Sequence, residues 1–429
     1  MDWKLYLALS FVMFMEYAVW AAWMPVLAAR LLGPLKMSGK QTGWIYATFP
    51  LACIFMPLVS GQLADKYVNT ESILAVAHIL GAVLMFIAVR KTTFKGLFVV
   101  MFLYSLCYAA TLPLANSIMF HHLGKVYDNI DDVNAASANI FIWAPVAWAF
   151  IGWSLTGWRW IFKTGEQGRD CLYLAAILSV IMGIGCFFLP DTPPTESGTT
   201  PTTESGTAPT TESGTAPTTE SGTAPTTESD TAPILQAMEM FKDANFLIFI
   251  AVSMVFFGLM QFYFLGTAPF MQDMGIPAKN VPASMGIAQA FQAIATLFLM
   301  AKSMEVLGIK WTLIVGATCW FILYLAYIKQ KPRWIIVACQ PFHGLAYVLF
   351  VIVGQIFANS VASDEIRGSM QSLLFAATTG VGLFFGTQLA GVVMDKFRKE
   401  DKFQWRPIFL VPGGIALVSI LVFVLFFKS

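Results

Sequence analysis

Few side chains inside the apolar stretches of this 429-residue chain can exchange a proton or make a hydrogen bond, and those few bound its chemistry. Glu16 lies in the middle of one such stretch, with Trp20 four residues on and Trp23 seven on, all on one face of a helix. A charge at membrane depth costs roughly 3 kcal/mol on insertion scales. A carboxyl held out of water between two indoles is therefore a candidate for proton coupling. Imidazole exchanges protons near neutral pH, which makes His343 a second candidate; His78 reads as a structural histidine on an apolar helix. Asn116, Gln261, Gln289, Gln292 and Gln355 are amides expected to be buried, and Trp20, Trp23, Phe141 and Trp143 offer ring faces. Gln289 and Gln292 are three apart and can face one cavity. Stacking on rings supplies affinity, and hydrogen bonds that a wrong ligand leaves unpaired supply discrimination. Such a set suits a neutral, ring-containing, hydroxylated solute. Single amides also glue helices together; amides spread over both halves of the chain favour a polar cavity.

The elements that carry these residues are membrane spans. With 57% apolar and 12% charged residues, the chain leaves no water-soluble domain of ordinary composition. Crossing the hydrocarbon takes about 20 apolar residues. Such runs recur at 5–32, 42–63, 73–89, 97–119, 135–155 and 171–189, and again at 246–267, 281–300, 311–327, 334–357, 369–393 and 408–427. The reading is an all-α membrane protein with twelve transmembrane helices in two six-helix bundles, 1–190 and 245–429. The first run is longer than a signal peptide's core and is interrupted by Glu16, so it is expected to be retained as a span.

Residues 191–244 join the bundles. Glu196, Glu204, Glu212, Glu220 and Glu228 mark five copies of an eight-residue Thr/Pro/Gly/Ser unit, which lacks the apolar surface to offset the entropy of ordering and reads as a disordered linker. The six cysteines are scattered with no C-x-x-C pair, and His121-His122 lacks a third ligand, so neither metal nor cofactor is expected. A net charge of +1 gives no footprint for nucleic acid. No nucleophile or phosphate cradle points to an enzyme. An even number of spans puts the linker and both termini on one side. That side holds eight of the 26 Lys and Arg residues, so the positive-inside rule alone would place it outside.

Two six-span halves joined by a long loop resemble the major facilitator superfamily, whose halves rock about a midplane site. Gly61-Gln62-Leu63-Ala64-Asp65-Lys66, after the second span, matches that superfamily's G-x-L-A-D-[RK] gating loop, in which Gly61 allows close approach and Asp65 can cap a neighbouring helix. More narrowly, the chain resembles the bacterial nucleoside/proton symporter family over nearly its whole length. The resemblance is carried by Phe14-Met15-Glu16-Tyr17-Ala18-Val19-Trp20-Ala21-Ala22-Trp23, Gly43-Trp44, Tyr104-Ser105-Leu106, Thr111, Asn116-Ser117-Ile118 and Leu189-Pro190-Asp191-Thr192-Pro193-Pro194. In the second half it is carried by Phe262-Tyr263, Gly308-Ile309-Lys310, His343-Gly344 and Gly391-Val392-Val393-Met394. The resemblance implies alternating-access nucleoside transport with protons across the inner membrane, with a cytoplasmic linker and termini; a monomer is expected. The gating loop's defined place outweighs the charge count. The chain departs from the family where the fifth-span R-x-x-G-T-x-G-W pattern reads Phe141-Ile142-Trp143-Ala144-Pro145-Val146-Ala147-Trp148. The tenth-span carboxylate falls at Val348, and the eighth-span Q-x-x-E falls on Gln289-Ala290-Phe291-Gln292. These losses leave an uncoupled facilitator, or a carrier of another neutral solute such as a sugar, as alternatives.

Overall fold

The computed structural model describes residues 1–194, 238–362 and 366–428. The eight-residue repeat and most of the expected linker lie outside the described residues.

Among the described residues, twelve helical segments are long and apolar enough to cross a bilayer. In chain order they are span 1 (Trp3–Leu32), span 2 (Gly39–Lys66), span 3 (Thr70–Arg90), span 4 (Phe94–Gly124), span 5 (Asp132–Phe162) and span 6 (Asp170–Phe188). The second set is span 7 (Ala244–Asp273), span 8 (Val281–Phe298), span 9 (Met300–Lys329), span 10 (Trp334–Val361), span 11 (Ser369–Lys396) and span 12 (Trp405–Phe426). Most outrun the apolar runs at their ends, because polar end residues continue the helix into the interfacial layer. Span 9 differs most: Gly308, at φ 72° and ψ 170°, breaks it, so its first two turns leave the axis of the remainder. Spans 10 and 11 each contain a π-helical stretch, Tyr347–Ile352 and Ala376–Gly382. Such bulges shift the faces of the flanking turns relative to one another.

Spans 1–6 and 7–12 form two bundles that meet along span 2 against span 11 and span 5 against span 8. Glycine sets this approach. A Cβ on Gly391 would lie 2.5 Å from the Gly39 carbonyl oxygen, and one on Gly43 would lie 2.6 Å from that of Thr387. Farther along span 11, Gly382 and Gly386 pack on the backbone of span 7 at Met254 and Gly258. The glycines of span 11 thus serve close packing, against a different partner at each end.

The inter-bundle hydrogen bonds among the described residues all lie on the side away from the termini. There Asp395, at the end of span 11, accepts from the backbone N–H groups of Gly39 (2.5 Å) and Lys40 (2.9 Å) and so caps span 2. Arg159 donates to the Ala278 carbonyl at 2.8 Å, Trp160 to Asn280 at 3.0 Å, and Ala283 N–H to Thr156 at 2.9 Å. On the terminal side Asp65 and Lys66 of the gating loop are exposed, Gly61 has open space at its Cβ position, and Asp65 caps no helix among the described residues. The cap expected of Asp65 is made instead by Asp395 on the opposite side. Also on the terminal side, the chain leaving span 6 is strapped to the first bundle. The Thr192 hydroxyl pairs with His122 at 3.0 Å, while its backbone N–H donates to Glu71 at 3.0 Å and its carbonyl accepts from Thr70 N–H at 3.1 Å.

Candidate solute and proton site

From span 1 an aromatic run crosses between the bundles. The Trp20 ring packs against Phe49 (4.7 Å), Tyr108 (6.0 Å) and Trp148 (5.6 Å), and Trp148 reaches Phe264 of span 7 (6.0 Å). Ala21, Trp148, Tyr263, Phe264, Met285 and Gln289 line a cleft at this junction. Ring faces come from both bundles here, and Gln289 supplies an amide.

Among the buried polar atoms without a partner are the indole N–H of Trp20, within this run, and the side-chain oxygen of Gln261 of span 7. Gln261 is 1% exposed and lies one turn before Phe264 on the same face of span 7. Each unpaired buried group costs about 1–3 kcal/mol. A solute that offers an acceptor to Trp20 and a donor to Gln261 recovers that cost. Gln292, one turn beyond Gln289, is nearly buried and makes no side-chain hydrogen bond; Gly344 of span 10 crosses directly over its backbone.

The other expected site residues fall elsewhere. Trp23 is fully buried inside the first bundle and donates to Tyr104 at 3.3 Å. Trp143 donates to Tyr6 at 3.2 Å, and Phe141 packs on Phe120 at 6.3 Å, both toward the terminal side. Asn116 is half-buried, and Gln355, expected to be buried, is exposed. The Gln371 amide donates to the Gln355 carbonyl (3.0 Å) and to Asn359 (2.9 Å), tying spans 10 and 11. Exposed amides within a span are too costly to leave against hydrocarbon, so this face borders water.

His343 is enclosed rather than open to the cleft. It stacks on Tyr263 with centroids 3.7 Å apart, and its Nδ1 accepts from the Trp320 indole at 3.1 Å. It therefore stands one layer behind Tyr263. Behind it in turn, Gln340 accepts from the Tyr263 hydroxyl at 2.8 Å and donates to Tyr327 at 2.7 Å. Gln340 carries the same signal as the other amides, a polar side chain in an apolar run, and belongs among them as a support for Tyr263.

Glu16 does not project between Trp20 and Trp23 as its spacing suggested. It is 0% exposed within the first bundle, with Oε2 3.0 Å from His78 Nε2 of span 3 and Oε1 2.7 Å from the Thr111 hydroxyl of span 4. The Tyr108 hydroxyl donates to the Glu16 backbone carbonyl at 2.7 Å. His78, read as structural from sequence, is the direct partner of the candidate carboxyl.

Comparison with known proteins agrees with this architecture. The chain is 26% identical to the putative nucleoside transporter YegT of Escherichia coli K12 over 98% of its length and 93% of the relative's. It is 24% identical to the nucleoside permease NupG of the same organism, covering 99% of this chain and 96% of that one. The crystal structure of the nucleoside transporter NupG superposes with a TM-score of 0.78 at 22% identity, covering 100% of both chains, so the fold is shared. The model of one family, the nucleoside H+ symporters, matches residues 3–207 and 214–429. From end to end, this chain belongs to the nucleoside H+ symporter family.

Proposed function

We propose that the chain carries nucleosides inward with protons, as a monomer in the inner membrane, with the termini and linker in the cytoplasm. Family membership supports the transport class. The observation that carries the solute site is the pair of unsatisfied groups, the Trp20 N–H from one bundle and the Gln261 oxygen from the other, beside a continuous run of rings. The base stacks on the rings, while its edge and the ribose hydroxyls meet the amides of Gln261 and Gln289. With the far side sealed by the inter-bundle hydrogen bonds and the termini in the cytoplasm, this reading takes the state to be inward-facing. No bond in the solute is made or broken.

Uptake of labelled uridine and adenosine into proteoliposomes tests this reading. Wild-type protein is expected to accumulate nucleoside when the entry side is made acidic; uptake that ignores nucleosides or the gradient contradicts it. Gln261→Ala removes a hydrogen-bonding group that only the solute satisfies. Apparent affinity should fall roughly five- to thirtyfold, equivalent to about 1–2 kcal/mol, with expression intact. Unchanged kinetics would reduce Gln261 to a packing role.

A further inference from the structure

We propose that the Glu16–His78 pair, inside the first bundle and apart from the solute cleft, is the site that loads and releases the transported proton. The proposal rests on the symport reading above.

The geometry singles out this pair. Glu16 and His78 lie near the middle of spans 1 and 3 and are 0% and 2% exposed, with 3.0 Å between Oε2 and Nε2. Among the described residues no other carboxyl and imidazole pair up. The remaining buried ion pair, Arg159–Asp170, sits at span ends and includes a guanidinium that keeps its proton. His343, the other histidine deep in the spans that bears on the cleft, has no carboxyl beside it and accepts from an indole.

The groups facing Glu16 are uncharged. Tyr17 of its own span, Tyr104 and Tyr108 of span 4, and Cys186 of span 6 lie within electrostatic reach; Tyr347 of span 10 reaches Tyr17 from the second bundle. No lysine or arginine among the described residues pairs with Glu16. His78 is therefore the one ionisable side chain in hydrogen-bond contact with the carboxyl.

Thr111 tells the two protonation states apart. Its hydroxyl oxygen is 2.7 Å from Glu16 Oε1 and 2.7 Å from the Tyr108 carbonyl, but it has one proton to give. When Glu16 is protonated, the carboxyl donates to Thr111, Thr111 donates to Tyr108, and His78 Nε2–H donates to Oε2. All contacts are then satisfied and the pair is neutral, which suits its dry surroundings. When the proton leaves, the Thr111 hydroxyl turns to donate to the carboxylate, and the Tyr108 carbonyl gives up that side-chain donor and keeps its helical one. One proton enters from water and one returns to water, with net charge passing between zero and −1.

The pair is also wired to the cleft. Tyr108 holds the backbone carbonyl of Glu16, and its ring packs on Trp20, the residue whose free N–H awaits the solute. Solute at Trp20 thus bears on the turn of helix that carries the carboxyl.

The test uses proteoliposomes containing wild type, Glu16→Gln or His78→Gln, each assayed for gradient-driven uridine accumulation and for exchange of labelled against unlabelled uridine. With one proton per solute, a one-unit pH gradient drives wild-type accumulation by up to about tenfold. Both variants should keep exchange, which needs no net proton movement, and lose accumulation down to the level without a gradient. A variant that exchanges and still accumulates overturns the assignment while leaving symport intact. Loss of exchange by both variants also overturns it, because a proton site apart from the cleft leaves solute exchange standing. A wild type that exchanges uridine but ignores the gradient fails the symport reading itself.

Discussion

Asp170→Asn should lower the stability of the protein by about 3–5 kcal/mol, the cost of removing one partner from a buried ion pair. Arg159 donates to both carboxylate oxygens, from Nε at 2.7 Å and from Nη2 at 2.9 Å, and the two side chains are 2% and 4% exposed. Asp170 also accepts from its neighbour's backbone, Cys171 N–H at 2.9 Å, as the first turn of span 6 begins. An amide keeps the shape but removes the counter-charge, leaving a guanidinium buried without it. The loss extends beyond the first bundle, because the third arm of Arg159 reaches the Ala278 carbonyl of the second. Thermal unfolding in detergent measures this: Asp170→Asn should melt well below wild type, and Glu166→Gln, at an exposed position in the same loop, should match wild type. Equal melting of all three would mean that the pair does not hold this end of the molecule.

Gly391→Val should prevent the far side from closing. The added Cβ would lie 2.5 Å from the Gly39 carbonyl oxygen and 2.9 Å from its carbon, both backbone atoms that no rotamer change can move. Overpacking of this kind costs about 1–3 kcal/mol or more, and here only the sealed state bears it. The ratio of sealed to open molecules should therefore drop roughly five- to 150-fold. Parting the helices of the seam also takes Asp395 away from the span 2 N-terminus it caps. Thiol labelling of a cysteine at Ser38, in a background without the six native cysteines, reads the change directly. Labelling should be slow while Gly391 is kept and fast once Gly391→Val is introduced; equal rates would show that the glycine contact does not govern closure.

The spans were legible because hydrocarbon imposes one length and one composition on every crossing, and a periodicity survives in sequence where a pairing does not. Glu16 could be recognised alone, as a carboxyl in an apolar run. Its partner could not, since His78 is 62 residues away and the angle at which spans 1 and 3 pack decides whether they meet. The same holds for Trp23, which shares a helical face with Trp20 but turns into the bundle toward Tyr104. Arg159, Asp170 and Asp395 carry no site signal in sequence for another reason: charges at span ends are ordinary, and only the assembled seam shows them bridging bundles or buried. Gln261 and Gln289 are visible as amides out of place; the structure buries Gln261 in span 7 and sets Gln289 in the lining of the cleft.

In alternating access, solute drives exchange between two faces of one site, and labelling at both faces reads that exchange. Two single-cysteine proteins in the cysteine-free background suffice, Asn359→Cys on the terminal side and Ser38→Cys on the far side, labelled with a membrane-impermeant thiol reagent across a pH gradient, with and without uridine. Without solute, position 359 should label quickly and position 38 slowly; turnover with uridine should slow the first and speed the second. Positions that change together, or do not respond to uridine, would contradict alternating access by these two bundles.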